Sequence, residues 1–249
     1  MRKPMPETKR DFSHVPNFTG YMKKIAVWFA DKPPMRILDM PAGAGKMREA
    51  LSPLGHEVVC GDINMESGDY VYVDMSKPLP FEDESFDAVI CLEGLEHMIE
   101  PAGLISEIAR VTRKGGRIIV STPNISNMYS RLQFLLTGTF YQFNPAPIPV
   151  VRPGEMKDRG HISPMPYFRI RYLFEHYGAH VTAVDGDKFK KKILAPLFLP
   201  VILLGMLVSR VLMREGTQET RGRNREIFSH MLSAPALMSR SLIVYLQKD

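Results

Sequence analysis

Arg36-Ile37-Leu38-Asp39-Met40-Pro41-Ala42-Gly43-Ala44-Gly45-Lys46 decides the reading of this 249-residue chain. Ile37 and Leu38 are apolar and stand between Pro33-Pro34 and a run of small residues, the pattern of a short interior strand in a parallel sheet. Gly43 and Gly45 lack a Cβ, so the backbone can turn sharply there and come close to a ligand. A helix starting near Lys46 would aim its free N–H groups at that ligand. Two phosphate-loop readings fail on named positions. A P-loop, GxxxxGK(S/T), needs glycine where Met40 stands and Ser or Thr where Met47 stands. A dinucleotide fingerprint, GxGxxG, needs its third glycine at Arg48.

What remains is an acid at a strand end followed by small residues at alternate positions, Asp39-x-Pro41-x-Gly43-x-Gly45. This pattern resembles motif I of the class I S-adenosylmethionine-dependent methyltransferases, D/E-x-G-x-G-x-G. Pro41 replaces the first glycine; its ring fixes φ and removes an N–H, so its nitrogen donates no hydrogen bond to a cofactor. A second stretch, Leu79 to His97, reads LPFEDESFDAVICLEGLEH. It is similar to the LPF-x-D-x-SFD segment ending in LEH of the methyltransferase type 11 and 12 families, which include the ubiquinone-pathway O-methyltransferases. The likeness runs from about Met35 to Asn124, where Ser121-Thr122-Pro123-Asn124 still matches.

The strands expected around these motifs are His56–Asp62, Tyr70–Asp74, Phe86–Leu92 and Gly116–Thr122. The helices between them are Asn17–Ala30, Lys46–Leu54 ended by Gly55, and one opened by Pro101 and closed by Gly115-Gly116. Pro166–Tyr177 adds a helix, and Ala179–Val184 and Ser241–Gln247 add two strands that the family pattern makes antiparallel to each other. The fold class is therefore α/β: a Rossmann-like, doubly wound, seven-stranded, mostly parallel sheet with an antiparallel last strand. Residues 1–249 read as one domain, with a cofactor-binding core over 17–124 and a lid insertion over 125–165. Residues 166–187 and 240–249 complete the sheet, and 188–239 form a basic and apolar arm.

Asp62 follows Asp39 by 23 positions, near the roughly 20-residue spacing at which an acid meets ribose hydroxyls in nucleotide-binding sheets. The resemblance implies S-adenosylmethionine as cofactor, with Asp39, Pro41, Ala42, Gly43 and Gly45 around the loop and Asp62 and Ile63 at the second strand end. It places Asp74 and Met75 at the adenine and Leu92 and Glu93 at the methionine end. An acid at a strand end also serves as a helix cap or turn residue; three in register favour the ligand reading.

Composition, 45% hydrophobic and 24% charged, suits a globular chain with a sizeable core. Cys60 and Cys91 fall in apolar runs and read as reduced core thiols, with no disulfide framework and no metal-binding spacing. Met1 to Phe12 is charged and lacks the apolar run of a secretory signal, so the expected location is cytoplasmic. The net charge of +5 is uneven: residues 186–249 carry 11 Lys+Arg against 5 Asp+Glu, leaving 21 against 22 elsewhere. That balance argues for a local basic patch and against a nucleic-acid-binding face.

Ile125 to Ile162 is a long insertion with Tyr129, Phe134, Phe140, Tyr141 and Phe143, then Arg152, Lys157, Arg159 and His161, and reads as a substrate lid. Further on, Lys188 and Lys190–Lys192 precede an uncharged run, Ile193–Ser209. Seventeen helical residues reach about 25 Å against a hydrocarbon core of about 30 Å, and Pro196 and Pro200 interrupt them. Residues 188–213 thus read either as a segment lying on an anionic membrane surface, peripheral to its inner face, or as an arm packed on the protein or on a second subunit. Glu215–Glu226 is expected to be exposed.

Methyl transfer from a sulfonium needs alignment and exclusion of water, and a base where the acceptor is a hydroxyl. His97 and His161 are the candidate bases, each with an alternative role in ordering a loop. The leading expectation is a methyltransferase acting on a small or lipid-linked acceptor, at oxygen. The second is a non-catalytic cofactor-binding or membrane-associated accessory protein, for which Pro41 leaves room. A nicotinamide oxidoreductase is disfavoured by Arg48.

Overall fold

The computed structural model describes residues 17–64, 68–143, 160–189, 195–212 and 217–249. Seven strands run in chain order: β1 (Arg36–Asp39), β2 (Glu57–Asp62), β3 (Val71–Tyr72), β4 (Phe86–Leu92), β5 (Thr112–Pro123), β6 (Ala179–Gly186) and β7 (Ser241–Lys248). They make one sheet in the order β3-β2-β1-β4-β5-β7-β6. β1 is parallel to both β2 and β4, and β7 is antiparallel to both β5 and β6. The strand order reverses between β1 and β4, and the crevice at their carboxyl ends is where such sheets bind ligands.

Helices α1 (Gly20–Ala30), α2 (Lys46–Leu51), α3 (Pro101–Val111) and α5 (Tyr167–His176) flank the sheet, and α4 (Met128–Thr137) follows β5. α6 (Ala195–Leu212), α7 (Gln218–Met231) and α8 (Ala234–Met238) fill the span between β6 and β7. Successive strand side chains point to opposite faces. Ile37, Ile90 and Ile119 pack with Tyr21, Ile25 and Phe29 of α1 on one face. Leu38, Val89 and Val120 pack with Leu104 and Ile108 of α3 and Ile170 and Phe174 of α5 on the other. Strands buried on both faces must be apolar at nearly every interior position, which is why Ile37-Leu38 of β1 and Ala88 to Leu92 of β4 are unbroken apolar stretches.

Several boundaries differ from those the sequence suggests. β3 is only Val71–Tyr72, pairing with Gly61 and Asp62 at the sheet edge, so Asp74 lies in the following turn. α3 ends at Val111, and Gly115-Gly116 does not close it; Thr112 is already extended and donates its hydroxyl to the Ile108 carbonyl. The glycines instead serve an irregularity in β5, where the register against β4 shifts between Phe86 and Ala88. A Cβ on Gly116 would lie 2.7 Å from the Arg113 carbonyl oxygen. The helix expected to Leu54 is α2 plus a 3-10 turn, Ser52–Leu54, since Pro53 lacks the N–H a continuing helix would use.

The insertion is not irregular throughout. It begins with α4, whose Asn127 caps the Ser130 N–H and whose Gly138 ends it at φ 70°. Arg152, Lys157 and Arg159 lie outside the described residues. Pro200 does not interrupt α6, which runs through it to Leu212, and Pro196 sits in the first turn, where no N–H partner is required. No helix among the described residues is long and apolar enough to cross a membrane. The polar stretch after it is helical, as α7 capped by Thr217, and Glu226 is exposed as expected; Glu215 lies outside the described residues.

Candidate active site

The glycine loop leaves β1 and is tied to its neighbours by the backbone. Met40 donates its N–H to the Ile90 carbonyl at 2.9 Å, and Ala42 to the Gly61 carbonyl at 3.0 Å. Gly43 and Gly45 have φ of 49° and 66°, in the left-handed region that favours glycine. A Cβ on Gly45 would lie 2.7 Å from the Tyr70 hydroxyl, which itself donates to the Gly43 carbonyl at 2.9 Å. Asp62, at the end of β2, accepts the Gly43 N–H at 2.9 Å and the Asn64 N–H at 2.8 Å. The acid expected at the ribose therefore also shapes the loop.

Asp39 is buried, and its Oδ2 meets no hydrogen-bond partner among the described residues. Burial, and then the charge of Asp62, push its carboxyl well above the usual range. An orphaned acceptor beside a glycine cradle suits a ligand that brings N–H or O–H donors, and the ammonium and ribose of S-adenosylmethionine supply both. Pro41, Met75 and Cys91 converge on Gly94, where a Cβ would lie 2.8 Å from the Pro41 Cδ, 3.6 Å from the Met75 sulfur and 3.0 Å from the Cys91 sulfur. Those contacts bring the first loop, the turn after β3 and the end of β4 together. Ile63 follows Asp62 and is half-buried.

Asp74 is committed locally. Its Oδ1 accepts from the Ser76 N–H at 3.0 Å and the Ser76 hydroxyl at 2.6 Å, and Lys77 stands 3.5 Å from Oδ2. Burial, which alone would raise its pKa, is outweighed by these partners, so its carboxyl is held below the usual range. Leu92 closes β4, and Glu93 follows at φ 51°. Glu93 donates its N–H to the Ser121 carbonyl at 3.0 Å, and the Ser121 hydroxyl donates to Glu93 Oε1 at 2.9 Å. Burial raises the Glu93 carboxyl, with Ser121 and Arg240 opposing.

The two histidines that the sequence singles out meet. His97 ends the short turn Leu95–His97, and its ring lies edge-on to His161 with centroids 4.9 Å apart. The Glu96 carbonyl accepts the N–H groups of Ile162 and Ser163, both at 2.9 Å, which fastens the His161 segment to that turn. His161 Nδ1 lies 2.9 Å from the Gln142 carbonyl oxygen. A carbonyl only accepts, so Nδ1 carries the proton of this contact. The third member, Glu96, is a residue that the sequence reading passed over. It is fully buried, and its carboxylate oxygens form no hydrogen bond of full geometry among the described residues. Burial together with Glu93 holds its carboxyl well above the usual range, against the weaker pull of its own backbone N–H and the Thr122 hydroxyl. Ligand atoms of Glu96, His97 and His161 all lie within 4.8 Å of one another, a donor set that could hold a divalent cation. The signal in the sequence was the LEH tripeptide, but nothing local joins it to a histidine in the insertion.

Residues 38–120 match the family model described as a methyltransferase domain. Over 106 residues the chain is 38% identical to the demethylmenaquinone methyltransferase of Clavibacter sepedonicus, covering 36% of this chain and 43% of that protein. Over 169 residues it is 27% identical to the ubiquinone biosynthesis O-methyltransferase of Xylella fastidiosa strain M23, covering 62% and 65%. The alignments thus span 43% to 65% of those relatives' lengths. A S-adenosylmethionine-dependent methyltransferase of Archaeoglobus fulgidus shares the fold, with a TM-score of 0.55, 16% identity and coverage of 91% and 94% of the two chains. Fold and family match together make residues 38–120 a class I methyltransferase domain. S-adenosylmethionine is the cofactor of that class.

Proposed function

We propose that the protein is a methyltransferase that moves a methyl group from S-adenosylmethionine to an oxygen of a small or lipid-linked acceptor. The observation that carries this reading is that Gly94, whose carbonyl accepts the His97 N–H at 3.2 Å, packs against Pro41 of the acid-lined glycine loop at the carboxyl ends of β1 and β4, while His97 stacks edge-on with His161. In this reading Asp62 receives the ribose hydroxyls while keeping the loop in shape. Asp39, Pro41, Ala42, Gly43 and Gly45 surround the amino-acid end with Leu92 and Glu93, and Ile63, Asp74 and Met75 line the base. The sulfonium cofactor supplies an activated methyl and an excellent leaving group, so the protein's work is alignment and a dry site. His161 takes the acceptor's proton at Nε2, because its Nδ1–H is held by the Gln142 carbonyl. His97 packs edge-on against it and limits its rotation.

The relatives' names support a quinone-type lipophilic acceptor, and the O-methyltransferase among them supports oxygen as the atom methylated. The reading places the protein in the cytoplasm at the inner face of a membrane, met through residues 188–213, with no nucleic-acid partner. The competing reading, a cofactor-binding accessory protein without turnover, draws on Pro41 at the first motif position. Calorimetric titration with S-adenosylmethionine, S-adenosylhomocysteine and NAD separates both readings from a dead loop, and a turnover assay separates them from each other. Micromolar binding of the first two, no binding of NAD, and release of S-adenosylhomocysteine with a hydroxyquinone acceptor are expected. Binding without release for any hydroxylated acceptor would move the accessory reading ahead. Asp62→Asn keeps one acceptor oxygen for the Gly43 N–H but loses the charge, and its affinity should fall about 10-fold or more, the effect of one charge-assisted hydrogen bond. Unchanged affinity would remove Asp62 from the cofactor.

A further inference from the structure

α6 presents an apolar surface of unusual shape. Nine large apolar side chains between Leu197 and Val211 are 40–66% exposed. Its inward side is narrow: Phe198 is buried against Met128 of α4 and Leu237 of α8, and Ile202 and Leu132 pack beside them. At 3.6 residues per turn the exposed apolar positions, from Met206 round through Leu203 and Leu207 to Val201, sweep about 220° of the helix. α4 continues the surface with Phe134, Leu135 and Leu136, of which Leu135 is 80% exposed. The two helices share one apolar seam and form one platform.

We propose that α4 and α6 dip together into an anionic lipid bilayer and that the acceptor is drawn from it. The width of the apolar arc selects the occupant. A single packed partner helix covers a stripe of roughly 100°, about half of this arc, whereas fluid hydrocarbon covers all of it. The charge agrees with a bilayer of negative headgroups. Residues 186–249 carry 11 Lys+Arg against 5 Asp+Glu. Lys188 is exposed before the helix, Arg210 near its end, and Arg223 and Arg225 on α7. Arg210 lies on the apolar arc, with a stem long enough to carry its head to the interface. Eighteen helical residues reach about 27 Å, short of a hydrocarbon core of about 30 Å, so the helix lies in the surface and does not cross it.

The platform adjoins the site. A small cavity beneath it, about 20 Å³, is lined by Met128, Tyr129, Tyr141, Phe198, Leu237 and Arg240. Arg240 donates from Nε to Gln142 Oε1 at 2.8 Å, and the Gln142 carbonyl is the partner of His161. An acceptor with a polar ring and a hydrocarbon tail can leave its tail among α4 and α6 and bring its ring toward His161. That substrate class rests on the methyltransferase reading; the lipid surface does not.

The test is sedimentation of the full chain with phosphatidylcholine vesicles, with and without phosphatidylglycerol, beside light scattering of the lipid-free protein and titration with S-adenosylmethionine. The protein should sediment with the anionic vesicles, less so as salt is raised. The double variant Leu203→Glu/Leu207→Glu should lose at least 10-fold in vesicle binding while binding S-adenosylmethionine like the parent, which shows that it is folded. A protein that stays in the supernatant with both vesicles overturns the proposal. So does a double variant that splits a dimer and still sediments, because the face then belongs to a second copy. Vesicle binding without S-adenosylmethionine binding sinks the enzymatic reading and leaves the surface standing; the opposite result does the reverse.

Discussion

Glu96 has two carboxylate oxygens that form no hydrogen bond of full geometry among the described residues, inside a fully buried side chain, with only its own backbone N–H and the Thr122 hydroxyl opposing the effect of burial. Its pKa is raised by burial first and by Glu93 second. An unfolded glutamate ionises near pH 4.3, so above that pH the folded state holds a proton that the unfolded state has lost. Stability from this group therefore falls as pH rises from about 4.3 toward the folded value. Glu96→Gln is a neutral isostere and should remove the fall. Melting curves of parent and variant, recorded with a chelator, should coincide near pH 4.5 and separate by pH 8 with the variant higher, by about 2–4 °C for each kcal/mol relieved. A gap that closes with rising pH would mean that the carboxylate is stabilised in the fold by a partner. The chelator matters because a cation held by Glu96, His97 and His161 would keep the carboxylate ionised and reverse the sign. The sequence brought out both histidines but not this acid: their meeting spans more than sixty positions, and such contacts leave no local pattern.

Among the elements, the strands buried on both faces were legible and those shaped by local backbone were not. β1 and β4 announce themselves because their central positions, Ile37-Leu38 and Ala88 to Leu92, are apolar on both faces, and the acids at the ends of β1 and β2 mark the ligand edge. β3, a two-residue edge strand, and the early start of β5 are set by hydrogen bonds that composition does not encode. Gly115-Gly116 shows the ambiguity. A glycine pair after an amphipathic run is read as a helix stop, yet here it admits the irregular turn of β5 against β4. Gly116→Ala tests this. Its Cβ would meet the Arg113 carbonyl oxygen and the Thr112 methyl at 2.7 Å and the Asp87 carbonyl oxygen at 3.0 Å, two of them backbone atoms that cannot swing away. The expected cost is about 1–3 kcal/mol in urea unfolding with an unchanged m-value. A Gly116 that met no such contacts would instead give a neutral or slightly stabilising alanine, because its φ is not positive and alanine lowers the entropy of the unfolded chain.

For the whole molecule, composition located the basic, apolar last quarter without telling how it is held. The answer lies in a network between α5, on the sheet, and α7. Arg171 is buried; its Nε donates to Glu175 Oε1 at 2.6 Å and its Nη2 to Glu226 Oε2 at 3.1 Å. The Tyr167 hydroxyl lies 2.5 Å from His230 Nδ1, and Arg223 reaches back from α7 to Glu175. Arg171→Met keeps the aliphatic stem and removes the fork. Glu226 is half exposed and Glu175 keeps Arg223, so no buried charge is stranded. The loss should be about 1–3 kcal/mol, the range for hydrogen bonds to charged groups. Where it falls is the informative part. If the network ties the arm to the sheet, amide exchange over Gln218–Met231 should speed up by about 10-fold for each 1.4 kcal/mol lost, while β4 and β5 keep their protection and S-adenosylmethionine affinity stays the same. Equal acceleration in α7 and in the central strands would show that Arg171 supports the fold as a whole, and that the arm and the sheet open together.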